Sequence, residues 1–137
     1  MQWVYLLSNK SQSALLIIIK YFVNMVERIY GSKFGIAIFH TDQEKSIRKD
    51  IERWLQEVRV TMEYSATYTP EQNGSAECSG GVLEMKAHCI RIKANLLEEM
   101  WPECILTAAY LLNRTPVKQY NWKSPLENLS EAVGQQS

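Results

Sequence analysis

The sequence predicts an α/β domain with a helical C-terminal end, and three observations predict it. Short apolar runs rich in β-branched and aromatic residues recur at residues 3–7, 34–40 and 60–64. Between them stand stretches whose apolar residues recur at three and four, and beyond Gly74 every periodic stretch has helical spacing. The order β, α, β, α, β, loop, α, α is that of strands and helices packed in layers around one core.

The first run, Trp3-Val4-Tyr5-Leu6-Leu7, ends at Ser8-Asn9-Lys10-Ser11, as a buried strand running into a loop would. From Ser13 onward Leu15, Ile18, Phe22, Met25 and Ile29 recur at three and four while Lys20, Asn24 and Glu27 fall elsewhere. This predicts an amphipathic helix that stops at Gly31. Residues 34–40 (FGIAIFH) read as a second buried strand, with Thr41-Asp42 at the C-terminal end where open α/β sheets place their chemistry. Ile47, Ile51, Trp54, Leu55 and Val58 predict a helix over 46–57, and residues 60–64 a third strand. Residues 65–74 (SATYTPEQNG) carry no period, and Asn73-Gly74 is a strong turn signal, so one long loop is expected there.

After that loop Val82, Met85, Cys89, Ile92 and Leu96 mark one apolar helix face, with Glu77 pointing roughly the other way. Gly80-Gly81 weakens the first turn by about 1 kcal/mol per glycine. Trp101-Pro102 opens a further helix that runs to Asn113 and is closed by Thr115-Pro116. Ser124-Pro125-Leu126-Glu127 has the form of a capping box for a short terminal helix. The expected division is therefore a core over residues 1–116 and an extension with a short helix over 117–137. No internal repeat is evident.

Composition bounds the function. With 137 residues, 46% apolar and 22% charged, with 6 Gly and 4 Pro, the chain suits one globular domain and not a disordered or collagenous one. Fifteen Lys/Arg balance 15 Asp/Glu, so there is no basic excess and any DNA role must come from local chemistry. The longest apolar stretch, residues 14–19, is followed by Lys20, far short of the roughly 20 residues that span a bilayer. No secretory signal opens the sequence, and neither a membrane partner nor a small-molecule substrate is indicated. Cys78, Cys89 and Cys104 are odd in number and lack a CxxC spacing, with only His40 and His88 to join them. A structural zinc or a disulfide framework is not expected, and a reduced intracellular compartment is the simpler reading.

Asp42 follows an apolar strand and Glu77 follows the Pro/Asn/Gly loop where a helix is expected to begin. Two carboxylates at the ends of different elements could converge on Mg²⁺ or Mn²⁺, which take hard oxygen ligands and complete their shells with water and phosphate oxygens. Position alone is a weak signal in a chain with 15 acidic residues, where a solvated loop Asp and a Glu favouring a helix dipole are the plain alternative.

The wording around these residues is far more specific. Thr67-Tyr68-Thr69-Pro70-Glu71-Gln72-Asn73-Gly74-Ser75-Ala76-Glu77 resembles the signature before the last catalytic Glu in integrases of copia-type LTR retrotransposons. The resemblance extends to Trp3-Val4-Tyr5-Leu6-Leu7, to Phe39-His40-Thr41-Asp42, to Trp101-Pro102-Glu103, to residues 108–116 (AAYLLNRTP) and to Ser124-Pro125-Leu126-Glu127, in the family's order. It implies a ribonuclease H-like fold in which three acids hold Mg²⁺ or Mn²⁺ while a DNA 3′ hydroxyl attacks a target phosphodiester. Asp42 matches the second acid and Glu77 the third, and both would be catalytic residues and metal ligands. DNA is the implied partner, the nucleus the implied location of an active integrase, and self-association a further expectation.

Three departures from the family pattern carry expectations of their own. The family's first Asp lies on a strand before the segment matched by Met1 onward, so the resemblance implies a core without its first two strands. That leaves a three-stranded remnant (family strands 3, 4 and 5) with flanking helices, a metal site short of one ligand, and an inactive chain prone to aggregate. The glycine expected after the second acid is missing from Asp42-Gln43-Glu44-Lys45-Ser46-Ile47, and the distance to Glu77 is one residue short of the family's. Where the family places an Arg after the last Glu stand Cys78-Ser79-Gly80-Gly81, which removes a cation that could meet DNA phosphate.

Asn73, Lys86 and Arg114 are the candidate nucleic-acid contacts. Arg114 could equally satisfy carbonyls at a helix end, and Lys86 with Arg91 and Lys93 could be a solvated helix face. Tyr64, Tyr68 and Trp54 could stack on bases, or simply pack. Cys78, close to the expected helix start, could have its thiol activated by the dipole, although no His is near in sequence. The competing functional class is a non-enzymatic α/β module that binds nucleic acid or protein.

Overall fold

The computed structural model describes residues 1–31, 35–41, 48–64 and 70–134. The chain divides into two compact units, Leu7–Ser75 and a second made of Met1–Leu6 with Ala76–Ser137.

In the first unit, helix α1 (Gln12–Tyr30) starts where the Ser11 hydroxyl accepts from the Ala14 N–H at 3.3 Å. It stops at Gly31, whose φ of +83° ends the helix while its N–H still reaches the Glu27 carbonyl at 2.9 Å. The left-handed region is open to glycine at no steric cost. The buried face carries Val23, with Leu15, Leu16 and Ile19 packed against the core. Ile29, predicted on the apolar face, is 58% exposed. Residues 14–19 are apolar all round the helix, so their period does not single out one face, and packing against the next helix decides it.

Strands β1 (Ile38–Thr41) and β2 (Thr61–Tyr64) pair in parallel, Ile38 opposite Thr61 and Thr41 opposite Tyr64. Helix α2 (Arg48–Glu57) lies between them in the chain, as a parallel pair requires. Ile51 and Leu55 of α2 are fully buried and, with Val60, form a core on which Phe39 and Met62 pack. The period-2 alternation leaves Ile38, His40, Thr61 and Glu63 on the exposed face. Arg59, at φ +61°, turns the chain out of α2 while the Val60 N–H reaches back to the Leu55 carbonyl at 2.8 Å. The next N–H, of Thr61, bonds the Ala37 carbonyl, so the helix exit leads straight into the strand.

The three-stranded expectation meets a two-stranded sheet among the described residues. Residues 3–7 are not a strand there, and Trp3, Leu6 and Leu7 are exposed. A strand needs a ladder neighbour, and the two strands present pair with each other.

Helix α3 (Pro70–Lys93) corrects two expectations. It takes in Pro70 to Gly74, for which the sequence predicts loop, and only residues 65–69 of that expected loop fall outside the described residues. Proline is well placed in a helix's first turn, and tertiary context outweighs the Asn-Gly turn signal. The buried face is also a different one. Ala87 is fully buried with Leu83 and Ile90 beside it, whereas Met85 and Ile92 are 60% and 67% exposed. Ala87 packs with Cys104 and Ala108 of helix α4 (Trp101–Arg114), and Leu96, Trp101 and Ile105 close around them. Helix α3 ends much as α2 does: Asn95 has φ +49° and the Leu96 N–H bonds the Arg91 carbonyl at 2.9 Å.

The terminal capping box forms as expected. The Ser124 hydroxyl accepts from the Glu127 N–H at 3.2 Å and a Glu127 carboxylate oxygen accepts from the Ser124 N–H at 2.7 Å, opening helix α5 (Pro125–Gly134), which packs on α4. Among the described residues no helix is long and apolar enough to cross a membrane.

Candidate functional site

Asp42 lies outside the described residues. What can be followed is the strand that leads to it: β1 ends at Thr41, and its neighbour in the ladder is β2. The parallel register sets His40 opposite Glu63, and His40 Nε2 lies 3.2 Å from a Glu63 carboxylate oxygen on the exposed face. Both side chains are about half exposed, so the pairing is a weak one.

Glu77 is the eighth residue of α3 counted from Pro70, not a first-turn residue as its sequence neighbourhood implied, and its side chain is exposed. The same holds for Cys78, which is exposed on α3 well past the first turn, so the dipole argument for an activated thiol loses its geometry. All three cysteines are free, Cys104 being buried in the α3–α4 core. Among the described residues no three His, Cys, Asp or Glu side chains gather where a metal ion could be held. Asp42 is not among those residues.

The remaining candidates sort themselves by what they touch. Asn73 falls within α3. Lys86 is half-buried on that helix, and Arg91 donates to the Leu96 carbonyl at 3.5 Å, sealing the helix end. Arg114 lies over the Tyr110 ring with 3.6 Å to its centroid and donates to the Tyr110 carbonyl at 3.4 Å, in keeping with the helix-end reading. Trp54 packs against the α2 core with Lys20 5.5 Å from its ring centroid, and the Tyr64 hydroxyl donates to Glu52 at 3.4 Å. Both are packing residues here. Tyr68 lies outside the described residues.

One polar residue escaped the sequence reading. Asn113 is buried, and its side-chain amide makes two hydrogen bonds to the backbone of one residue: Oδ1 accepts from the Gln2 N–H at 2.8 Å and Nδ2 donates to the Gln2 carbonyl at 2.6 Å. The amide stands in for a neighbouring strand and ties residues 1–6 to α4. Its signal was an Asn within an otherwise apolar helix end, Ala108 to Leu112, where a buried amide needs a partner.

No family model matches the chain. In fold it is similar to the catalytic core domain of BIV integrase, with a TM-score of 0.69 over 96% of this chain and 79% of that one, at 13% identity. The fold is therefore one shared with an integrase catalytic core, here helix-rich α/β with a parallel strand pair among the described residues. In sequence, 114 residues, 83% of the chain, are 30% identical to the retrovirus-related Pol polyprotein from transposon TNT 1-94 of Nicotiana tabacum, of which the chain covers 8%. The chain is thus similar in sequence to a short part of that polyprotein and in fold to an integrase core.

Proposed function

We propose that the chain carries two of the three acidic ligands of an integrase centre, Asp42 and Glu77, and descends from an enzyme of metal-dependent DNA strand transfer. The observation that carries this reading is the integrase-core fold matched over 96% of the chain, with Asp42 next after a strand of its parallel pair. Hard carboxylate oxygens suit Mg²⁺ or Mn²⁺, and an ion there would stabilise the attacking and leaving oxygens of a phosphodiester. The chain's own part is to supply Asp42, the residue that follows β1 in sequence, and to present Glu77 on the exposed side of α3.

The family's first acid has no match within these 137 residues, so the proposal is confined to the two acids that do. Duplex DNA is the partner, held weakly because net charge is zero and few phosphates are neutralised. Self-association belongs to the same reading: Ile38 is half exposed on the face of β1, and exposed apolar surface favours contact with a second chain. Light scattering after size exclusion is expected to show species larger than a monomer.

The test is a Mn²⁺ titration followed by paramagnetic broadening of assigned amide signals. Weak broadening is expected around residues 41–43 and 77, lost in both Asp42→Asn and Glu77→Gln. Tight binding insensitive to both changes would place the metal elsewhere and end this reading.

A further inference from the structure

Between α4 and α5 the chain closes a tight turn over residues 117–123 and lifts a tryptophan out of it. The turn is held by an antiparallel bridge between Val117 and Lys123 and by main-chain bonds. The N–H groups of Trp122 and Lys123 reach the carbonyls of Val117 and Tyr120 at 3.1 and 3.0 Å. Asn121 and Trp122 stand in succession at φ +53° and +64°. Asn tolerates that region; a bulky Trp is strained there. The strain is not offset by burial, because the Trp122 side chain is 70% exposed, where tryptophan is a residue that proteins mostly cover. The capping box that begins at the buried Ser124 fixes the chain immediately beyond. The ring is thus presented from a backbone locked on both sides, so little ordering remains for a partner to impose.

Its surroundings say what that partner is. From Cys104 to Leu126 the sequence holds no Asp or Glu but three cations, Arg114, Lys118 and Lys123, in a chain whose total charge is zero. Lys123 is engaged by Glu131, while Lys118 and Arg114 are exposed, the latter with its guanidinium carbon 3.6 Å from the Tyr110 ring centroid. The residues flanking Trp122 are exposed and polar, not an apolar patch of the kind that seats a protein partner. An exposed aromatic face on a turn that also carries Lys118 and Lys123 fits a polyanion that carries flat aromatic groups. In a duplex those groups are stacked away, which leaves an unpaired strand.

We propose that the Trp122 turn is a stacking platform for an unpaired base of a nucleic-acid strand, with Lys118 and Arg114 meeting the adjoining phosphates. The proposal uses neither Asp42 nor Glu77 and needs no metal.

The experiment uses the full chain in EDTA at low salt, with anisotropy of a fluorescein-labelled oligothymidylate of about twelve nucleotides. An abasic strand of the same length and a duplex serve as comparisons. Trp122→Ala is expected to weaken oligothymidylate binding about tenfold, Trp122→Leu to match it, and Trp122→Phe to stay close to the parent. The abasic strand should bind the parent chain about as weakly as oligothymidylate binds the Ala variant. Lys118→Ala and Arg114→Ala should weaken both strands alike, each lowering the slope of log affinity against log salt by about 0.7. Circular dichroism confirms that the variants keep the parent's fold. The proposal is overturned if Leu and Phe behave alike, if the abasic strand binds as well as oligothymidylate, or if no oligothymidylate binds at all, the result a protein-docking turn would give. Because EDTA is present throughout, failure of metal binding at Asp42 and Glu77 leaves this outcome untouched.

Discussion

Around the parallel strands the fully buried side chains are the branched aliphatics Ile51 and Leu55, with Val60 beside them; between α3 and α4 they are Ala87, Cys104 and Ala108. Both clusters are apolar and closed to water, yet they are filled by opposite means. A helix over a pleated pair of strands leaves a gap that long side chains must span. Where two helices meet, small residues at the contact let the larger flanking ones, Leu83, Ile90 and Ile105, close around them. Removing volume should therefore damage the first cluster, and adding volume the second.

The largest effect is expected from Leu55→Ala. Its side chain is fully buried against the strands, and truncation should cost about 2–5 kcal/mol, read as a lowered urea midpoint with an unchanged slope. A cost under about 1 kcal/mol would mean that the α2 cluster is loosely packed and the contrast is false.

The second core is tested by enlargement. Ala87→Leu should destabilise by about 1–3 kcal/mol through overpacking, whereas Met85→Ala and Ile92→Ala on the exposed side of α3 should stay within about 0.5 kcal/mol. The reverse ranking would restore the apolar face at Val82, Met85, Cys89 and Ile92 that periodicity singled out.

That reversal of faces shows where the sequence could be read and where it could not. The α2 cluster was legible because Ile51 and Leu55 stand out against charged neighbours, and the strand at β2 because alternation and the helix before it agree. The α3 face was misread because Ala87, the residue that decides it, is small and carries almost no periodic signal beside Met85 and Ile92. In α1 the apolar stretch runs all round the helix, so the choice of Val23 over Ile29 lies in tertiary packing. The two acidic residues were legible only through the wording of their neighbourhoods, since no period or composition marks a ligand. The start of α3 at Pro70 was hidden by an Asn-Gly pair whose turn preference is local and was overridden.

A polar counterpart of the same contrast lies at the end of α4, where Asn113 does by hydrogen bonding what the small residues do by shape. Asn113→Ala leaves the Gln2 N–H and carbonyl without their partner, and about 1–3 kcal/mol should be lost. Asn113→Asp is the sharper change. A carboxylate can still accept from the Gln2 N–H but cannot donate to the Gln2 carbonyl, so residues 1–6 should be held at acid pH and released as the new carboxyl ionises. Hydrogen exchange of the amides of residues 2–6 reads both variants, and unchanged protection in Asn113→Ala would show that the amide does not hold this segment.

The smallest effect belongs to the capping box, which contrasts with the cores in carrying an exposed, titratable carboxylate, that of Glu127. The Glu127 carboxyl is held below its ordinary value, first by the hydrogen bond from the Ser124 N–H, then by the Ser124 hydroxyl, with Lys123 adding to both. A carboxyl whose folded value is depressed contributes its stability in full above the unfolded value and loses it as the pH falls through the folded one. Helix α5 should therefore loosen as the solution is made acid, across a window that begins near the ordinary Glu range and ends below it. Glu127→Gln keeps an oxygen that can accept from the Ser124 N–H but no longer titrates, so α5 should start slightly weaker and then show no acid dependence of its own. The readout is the carbon chemical shifts of residues 125–133 against pH, with Glu131→Gln as the control for the exposed pair with Lys123. If Glu127→Gln and the parent chain lose α5 along the same curve, another group drives the acid transition, and the box is a geometric cap without electrostatic weight.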